Sequence, residues 1–415
     1  MRILFFSHYF PPEGNAPASR THENASRWVK AGHQVTVITC VPNCPDGVVY
    51  EGYKNKLYQR EFIDGIDVRR VWTYIAANEG TVKRILNYVS YMASAILFSF
   101  FVRRPNVIIA TSPQFFCGWA GAISSFLRRI PFILEIRDIW PESIVAVGAL
   151  RKSLLTRFLE WMELKMYASA DHIVTVGDGY RRKLLQKGVA EDKLSVVMNG
   201  INRDLFEPRE PDAALKSKWK CDGKYICSYS GTIGMACGLT IMLDAAEKLK
   251  ERGIDDILFM LIGDGAMRKE LTAQALQRGL DNVIFTGRQP KEMMPAFLSI
   301  TDVSLVHLRK SDLFTTVMPS KIFEASGMAK PIINGVEGFA AEFIQNAGAG
   351  INIEPEKSDQ LIDALLKMKN NPVVSQSCGM SGRAYVTTFF DRDKLAQDYL
   401  NVIEKVAKVR LNDHE

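Results

Sequence analysis

The sequence predicts an α/β protein of two doubly wound domains, each a parallel sheet with helices on its two faces. The chain of 415 residues is about twice as long as one hydrophobic core comfortably supports. Short apolar runs alternate with amphipathic stretches, a pattern typical of parallel strands connected by helices. This alternation starts afresh after residue 205, which indicates a second domain.

The first series of apolar runs predicts the sheet of the N-terminal domain. Its strands are Ile3–Ser7, Val35–Cys40, Val107–Thr111, Phe132–Ile136, Ile173–Val176 and Val196–Met198. The clearest helical patterns between them are Ser19–Ala31 and Leu154–Ala168. The N-terminal run resembles a buried strand, because it lacks the long apolar region and small-residue cleavage site of a signal peptide.

The second series predicts another sheet of the same kind. Its strands are Tyr225–Ser230, Ile257–Ile262, Val283–Thr286, Val303–Leu308 and Pro331–Asn334, and its helices include Leu239–Arg252, Ala266–Arg278 and Lys321–Ala329. We place the linker at Asn202–Asp222, so that the domains cover residues 1–205 and 206–390. A helix within 391–415 is expected to return to the N-terminal domain. Ligands of such folds bind at the carboxyl ends of strands, here in a central cleft that the two domains face.

The positive charge of the chain belongs to its first half. Residues 1–205 hold 26 Lys and Arg against 18 Asp and Glu, whereas residues 206–415 hold 26 against 28. A net charge of +8 favours an anionic partner, either a membrane surface or a phosphate-bearing substrate. No basic tract is interleaved with aromatic residues, so we expect no nucleic-acid partner.

The seven cysteines are scattered and predict reduced thiols in a cytoplasmic protein. Cys40 and Cys44 are close in sequence, but no second Cys or His pair completes a zinc site. We therefore expect neither a metal nor a bound cofactor.

The segment Ile85–Val102 is nearly uncharged and lies between Lys83-Arg84 and Arg103-Arg104. Three interpretations are open: a buried crossover helix, a helix seated in the membrane interface, and a transmembrane span. Spanning needs ~20 apolar residues, and this segment includes Asn87 and several serines. The flanking cations favour contact of residues 83–104 with an anionic inner-membrane surface.

Glycine-rich turns after strands point to a phosphate ligand. They are Gly177-Asp178-Gly179, Gly231-Thr232-Ile233-Gly234 and Gly263-Asp264-Gly265. A helix that starts after such a turn offers free N–H groups to an anion. The sequence has no Walker phosphate loop, no GxSxG elbow and no HExxH motif. A nucleotide ligand is thus expected.

The segment Pro319–Ala325 gives the sharpest prediction. Ser320 is a candidate helix cap, which places Lys321 in the first helical turn. A cation there opposes the helix dipole unless an anion lies beside it, so Lys321 is a candidate diphosphate ligand. Glu324 follows one turn later, where its carboxylate can accept hydrogen bonds from ribose hydroxyls.

Five segments spread over nearly the whole chain carry a family resemblance. They are Phe10–Gly14, Val197–Ile201, Gly231–Gly234, Leu261–Gly265 and Pro319–Gly327. Together they resemble the retaining glycosyltransferases of family 4, which implies the GT-B fold of two Rossmann-like domains. Glu135–Glu142 resembles the variant found in members that build bacterial O-antigen and capsule sugars, and within these the N-acetyl-L-fucosamine transferases.

The resemblance implies roles for residues on the donor side. Gly14 approaches the donor diphosphate, Glu324 contacts the ribose, and Arg288 lies at the edge of the base. The remaining donor-side candidates are Gly231, Thr232, Gly263, Asp264, Gly265, Arg309, Thr316 and Ser320.

The chain departs from the family pattern at three places. Thr316 occupies the position of the first Glu of the family's Glu-x7-Glu motif. After Gly231, Thr232 stands in place of an expected Arg, and Ala236-Cys237 stand near the position of an expected Lys. Thr111-Ser112-Pro113 stands where an acceptor-side His is often found. We expect Lys321, Arg309 and Arg288 to supply the missing phosphate contacts.

Negative charge grows on the departing diphosphate during sugar transfer, so the positive groups at that diphosphate, Lys321, Arg309 and the helix N-termini, are predicted to contribute most to the rate. Asp138 is the candidate that orients or deprotonates the acceptor hydroxyl, although the leaving phosphate can itself take the proton. The alternative for Asp138 is a strand-end carboxylate that pairs with Arg137 or caps the following turn. His8, Arg20 and Arg137 are the other acceptor-side candidates, and the alternatives are a packed polar residue for His8 and a surface residue for Arg20.

Taken with these residues, the resemblance implies a metal-independent, retaining glycosyltransferase that uses a UDP-sugar as co-substrate. The sugar would be an N-acetylated deoxy sugar, and the acceptor a polyprenyl-diphosphate-linked saccharide in O-antigen or capsule biosynthesis. The enzyme would be cytoplasmic and peripherally attached to the inner membrane. Two alternatives stay open: a membrane-associated sugar-nucleotide-binding protein on a degenerate transferase fold, and a sugar-nucleotide 2-epimerase.

Overall fold

The computed structural model describes residues 1–44, 47–75, 81–112, 114–142 and 154–412. The chain forms two compact units. The first contains Met1–Met198 together with Arg392–Glu415, and the second contains Asn199–Asp391.

The sheet of the first unit has eight strands in the order β3-β4-β2-β1-β5-β6-β7-β8. All neighbours are parallel except β3 and β4, which form an antiparallel hairpin. The strands are β1 Arg2–Phe6, β2 Gln34–Cys40, β3 Tyr58–Ile63, β4 Ile66–Val71, β5 Val107–Thr111, β6 Phe132–Ile136, β7 His172–Thr175 and β8 Leu194–Val196.

Helices connect the parallel strands of this sheet. They are α1 Ala16–Lys30, α2 Thr81–Ser99, α3 Phe115–Arg128, α4 Leu154–Ser169 and α5 Asp178–Gln186. Helix α1 begins earlier than predicted, because the side chain of Asn15 accepts a hydrogen bond from the Ala18 N–H at 2.9 Å and caps the helix.

Helix α2 contains most of the apolar segment 85–102 and connects β4 to β5. Asn87, Tyr91, Ala95 and Ser99 recur every four residues and are buried, so one face of α2 packs on the domain. This agrees with the crossover helix considered for the segment. No helix within the described residues is long and apolar enough to cross a membrane.

The sheet of the second unit has six parallel strands in the order β11-β10-β9-β12-β13-β14. The strands are β9 Tyr225–Ser230, β10 Ile257–Ile262, β11 Val283–Gly287, β12 Val303–His307, β13 Ile332–Gly335 and β14 Gly350–Asn352. The helices are α6 Ala213–Lys218, α7 Thr240–Glu251, α8 Arg268–Gln277, α9 Met294–Ser299, α10 Lys321–Gly327, α11 Phe339–Ala347, α12 Ser358–Asn370 and α13 Pro372–Phe389.

A last helix, α14 Arg392–Asn412, belongs to the first unit and packs on α1. The indole N–H of Trp28 donates to the carbonyl of Ala396 at 3.0 Å, and the Trp28 ring meets the ring of Tyr399 edge to face. Arg392 forms an ion pair with Glu23.

Two apolar cores lie on opposite faces of the first sheet, because alternate strand residues point to opposite sides. Leu4 and Phe6 join the core beneath α2, α3, α4 and α5. Ile3 and Phe5 join the core beneath α1 and α14.

The segment predicted as a linker, 202–222, lies within the second unit and contains α6. Asp212 caps this helix by accepting a hydrogen bond from the Leu215 N–H at 2.9 Å. The units divide at Met198 and Asn199, several residues before the boundary that the prolines suggested.

Candidate active site

The loops that follow β9 and β10 are joined at the carboxyl edge of the second sheet. The Gly231 N–H donates to the Ile262 carbonyl at 2.8 Å, and the Ile233 N–H donates to the Asp264 carbonyl at 2.9 Å. A Cβ atom on Gly263 would lie 1.9 Å from the carbonyl oxygen of Gly231, so no other residue fits there. These glycines let two backbone loops approach closely and fix their shape.

Lys321 points at these loops from the start of α10. Its Nζ atom lies 3.5 Å from the ring centroid of Tyr229, and 3.5 Å from the place a Cβ on Gly231 would take. Burial lowers the pKa of Lys321 to about 8, against the opposing effects of Cys237 and Glu324. A partly buried cation beside a glycine backbone is well placed to bind a phosphate.

The structure corrects the predicted role of Ser320. Its backbone is helical, with φ −60° and ψ −25°, and its side chain makes no capping hydrogen bond. A capping serine needs an extended backbone, so that role is wrong. Glu324 lies in α10 one turn after Lys321 and is half-buried, close enough to influence the lysine's charge.

Asp264 connects the loop after β10 to helix α8. Its Oδ1 accepts hydrogen bonds from the Gly265 N–H and from Arg268 Nε, each at 2.8 Å. Although partial burial opposes ionisation, these bonds and the nearby charge of Arg288 lower the pKa of Asp264. Arg288 is thus close to this loop, as expected for the edge of a nucleotide site. Arg268 was not predicted from the sequence.

His307, another residue that the sequence did not reveal, connects the loops near β9 and β12. It is buried, and its Nδ1–H donates to the Cys237 carbonyl at 2.8 Å, while Nε2 accepts from the Glu356 N–H at 2.9 Å. Burial lowers its pKa, so the ring is neutral and held in one tautomer.

Arg309 lies two residues beyond His307 on the same sheet edge. Its N–H donates to the carbonyl of Ala236 at 2.9 Å, and its side chain is exposed. Thr316 ends a short 3-10 turn, Asp312–Thr316, between β12 and α10. The Tyr229 hydroxyl donates to the Thr232 carbonyl at 2.8 Å, which places Thr232 beside the ring under Lys321.

In the first unit, Glu13 organises the loop between β1 and α1. Its buried carboxylate accepts from the N–H groups of Asn43 at 3.0 Å and Cys44 at 2.9 Å. Burial raises the pKa of Glu13, opposed by these hydrogen bonds. The neighbouring Gly14 is exposed, and a Cβ there would meet no atom within 4 Å. The space beside Gly14 is therefore open to a ligand.

The structure gives Arg20 a role in the fold instead of the predicted acceptor contact. It is buried, and its Nε donates to Glu135 at 3.0 Å. Its other nitrogens donate to the carbonyls of Val197 at 2.7 Å and Met198 at 2.9 Å. An arginine held by three such partners is not available to a phosphate, and the surface-residue alternative is wrong as well.

Arg137 and Asp138 directly follow β6. The Arg137 N–H donates to Ser112 Oγ at 2.9 Å, and burial lowers the pKa of its guanidinium to about 10, with Glu135 opposing. Asp138 is half-buried, and its charge adds to the burial that raises the pKa of the Tyr180 phenol. Both residues are therefore at the carboxyl edge of the first sheet, as predicted.

His8 at the end of β1 is also at this edge, but it is enclosed. Its ring meets the edges or faces of three tyrosine rings, those of Tyr9, Tyr88 and Tyr91, at centroid distances of 4.9, 5.5 and 4.7 Å. Burial lowers its pKa to about 3, opposed by a hydrogen bond with Asn87. His8 is a packed neutral residue, which corrects its predicted acceptor contact.

Comparison with known proteins covers both units. Residues 15–200 match the model of the glycosyl transferase 4-like domain, and residues 212–385 match that of glycosyl transferases group 1. A putative colanic acid biosynthesis glycosyl transferase of Escherichia coli K12, WcaI, is 26% identical over 418 residues, which cover 97% of this chain and 100% of that protein. A probable glycosyltransferase of Pseudomonas aeruginosa, WbjE, is 28% identical over 61% of this chain and 63% of its own.

Among solved structures, Anabaena HepE in complex with UDP and glucose superposes with a TM-score of 0.73 at 16% identity. The match covers 97% of this chain and 99% of HepE. The predicted fold class, two Rossmann-like α/β domains of the GT-B type with a C-terminal helix that returns to the first, is confirmed. With consecutive family domains along most of its length, this chain belongs to the family 4 glycosyltransferases.

Proposed function

We propose that this enzyme transfers a sugar from a UDP-sugar to a polyprenyl-diphosphate-linked saccharide, with retention of the anomeric configuration, during O-antigen or capsule biosynthesis. The observation that carries the proposal is the desolvated Lys321 beside the joined glycine loops of the second unit. The colanic acid role in the name of the Escherichia coli relative supports a surface polysaccharide, and the UDP bound to HepE supports the donor class.

On the donor side, Lys321 contacts the diphosphate. It stabilises the negative charge that grows there as the bond between the anomeric carbon of the sugar and the phosphate oxygen breaks. Arg309 and Arg288, which follow β12 and β11, supply further positive charge. Glu324 accepts hydrogen bonds from the ribose. In the first unit, the open space beside Gly14 leaves room for a ligand at that unit's own loop. Side-chain cations thus neutralise the phosphates without a metal.

On the acceptor side, Asp138 either accepts the proton of the hydroxyl that attacks the sugar or orients that hydroxyl. It is the half-buried carboxylate at the carboxyl edge of β6, and the ring of Trp140 in the same segment stacks on Phe115 at 4.6 Å, which fixes the backbone around it. The departing phosphate takes the proton if Asp138 only orients the hydroxyl. Arg137 holds this segment through Ser112.

For the sugar and the location, the sequence variant Glu135–Glu142 favours an N-acetylated deoxy sugar such as N-acetyl-L-fucosamine. The lipid-linked acceptor implies work at the cytoplasmic face of the inner membrane. The helix within 83–104 and the basic first half of the chain favour peripheral attachment there.

The test is an assay of purified protein with a panel of UDP- and GDP-sugars and a polyprenyl-diphosphate-linked saccharide. We expect a sugar-extended lipid and free UDP. Because the configuration is retained, an α-linked UDP donor should give an α-linked product. Binding of UDP without any turnover would instead identify a binding protein. Conversion of the donor without an acceptor would identify an epimerase.

A further inference from the structure

The two faces of the first sheet are covered by helices of opposite surface character. Helices α1 and α14 cover one face, and in their described parts no large apolar side chain is exposed. Helices α2, α3 and α4 cover the other face, and most exposed apolar residues of this unit lie on them. Helix α3 lies between α2 and α4 and contacts both, so the three form one layer.

The outer side of α2 is apolar along its length. Ile85, Leu86 and Leu97 are exposed on the helix, and Phe100 and Phe101 are exposed just beyond its end at Ser99. No charged residue occurs between Arg84 and Arg103. The solvent-exposed face of a soluble helix normally carries charged residues. An exposed face without any is therefore unusual for a helix that contacts only water.

The end of α3 extends the same surface with cations and aromatic rings. Phe126 is 82% exposed beside Leu127, and the Arg128 guanidinium lies 5.9 Å from the ring centroid of Phe100. From Thr81 to Leu134 the sequence has six Lys and Arg and no Asp or Glu. All Lys, Arg, Asp and Glu residues in this part of the layer are therefore cations.

Helix α4 adds a third apolar stripe. Leu154 is 83% exposed, and Leu155, Phe158, Trp161 and Leu164 are exposed with it. Phe158 stacks on Trp161 at 5.9 Å, and Lys165 lies 5.8 Å from the Trp161 ring centroid. The charged residues exposed on this helix are Arg157, Glu160 and Lys165. An aromatic and leucine face bordered mainly by cations is the composition of helices that lie in a membrane interface.

We propose that the outer surface of α2, α3 and α4, below called the α2–α4 surface, lies on an anionic lipid bilayer. The inference rests on the proposed lipid-linked acceptor and goes beyond it by adding α3 and α4 to the segment 83–104. Charge decides the occupant: a second copy of the same surface would bring arginine against arginine, whereas anionic headgroups complement it. The apolar side chains then enter the headgroup boundary between the cations.

Vesicle sedimentation with the full chain tests the inference. We compare vesicles of phosphatidylethanolamine and phosphatidylglycerol with vesicles of phosphatidylcholine alone. The double variant Phe158→Ser, Trp161→Ser should weaken binding at least roughly tenfold, because it removes two aromatic anchors. Arg103→Gln with Arg104→Gln should weaken binding to the anionic vesicles by about 30-fold, since each surface cation contributes ~1 kcal/mol.

Leu276→Ser is the matched control, because Leu276 is 83% exposed on α8 of the second unit. It should bind vesicles like the wild type. Equal binding by the Phe158 and Trp161 double variant would refute a role for α4. A wild-type protein that ignores the anionic vesicles would refute the whole surface.

A second assay separates this inference from the proposed function. With a water-soluble, short-chain acceptor, the Phe158 and Trp161 double variant should keep wild-type turnover, whereas with vesicle-embedded acceptor it should be slower by the same factor as its binding. Vesicle binding without sugar transfer to either acceptor would refute the proposed function and leave the surface standing. Loss of turnover with the soluble acceptor, at an unchanged melting temperature, would refute a purely membrane-directed role.

Discussion

Replacing Lys321 by Met should make the protein more stable and the enzyme far slower. Burial lowers the pKa of Lys321 from 10.5 to about 8, which corresponds to about 3 kcal/mol of unfavourable desolvation in the folded state. Met keeps the apolar stem of the side chain and removes the charge. At pH 7 the free energy of unfolding should therefore rise by up to about 3 kcal/mol, while kcat/KM falls roughly 10²- to 10³-fold.

The sign of the pH dependence follows from the lowered pKa. Between pH 8 and 10.5 the unfolded chain holds the Lys321 proton and the folded protein does not, so wild-type stability rises with pH relative to the variant. The stability advantage of Lys321→Met should thus disappear above this range. Under the proposed donor role, UDP should bind the protonated lysine best, and wild-type affinity should be about tenfold lower at pH 9 than at pH 7.

Chemical unfolding, calorimetric UDP titration at several pH values, and steady-state kinetics measure these effects. Lys330→Met is the matched control, because burial also lowers the pKa of Lys330, whose Nζ donates to the Ser299 carbonyl at 3.1 Å away from the glycine loops. It should change stability and leave kcat/KM unchanged. A Lys321→Met enzyme within threefold of wild-type kcat/KM would refute the donor role of Lys321.

Three further substitutions probe the loops and the buried charges of the first unit. Gly14→Ala should leave the melting temperature unchanged, since its Cβ meets no atom within 4 Å, yet raise the donor KM by up to roughly a hundredfold; an unchanged KM would remove Gly14 from the site. Asp138→Asn should lower turnover roughly 10²- to 10⁴-fold while UDP affinity measured by calorimetry stays the same, and wild-type turnover would exclude it as the base. Glu135→Gln should cost ~3–5 kcal/mol in urea unfolding at pH 7, because it leaves Arg20 buried without its counter-charge. Although burial opposes its ionisation, the arginines lower the pKa of Glu135 below its usual 4.5, so the difference should shrink as pH falls below that value, and a constant difference would contradict the ion pair.

The sequence predicted most parallel strands of the two sheets because each is a continuous apolar run buried on both faces. Val107–Thr111, Tyr225–Ser230 and Ile257–Ile262 have the predicted bounds. The hairpin of β3 and β4 was missed because apolar and polar residues are mixed along both strands, which lie at one edge of the sheet. Its turn, Asp64-Gly65, has positive φ at both residues and is a strong hairpin signal that the sequence does offer.

In the candidate site, the sequence predicted roles that depend on neighbouring residues, but it did not predict contacts between residues that are far apart in the chain. Lys321 stood out because a lysine in a first helical turn needs an anion. Position in the sequence alone could not tell Arg20 in α1 and His8 after β1, which are enclosed, from Asp138 after β6, which is half-buried. His307 escaped notice because its partners, Cys237 and Glu356, are far from it in sequence.

The packing of α14 on α1 has a consequence for the order in which the chain can fold during synthesis. Trp28, Tyr399 and Ile403 share one apolar core, yet α14 is translated only after the whole second unit. Until then, a nascent first unit exposes the Trp28 side of its sheet to water and to chaperones. A fragment that stops at Met198 should therefore aggregate, whereas co-expression with a peptide of α14 should rescue its solubility.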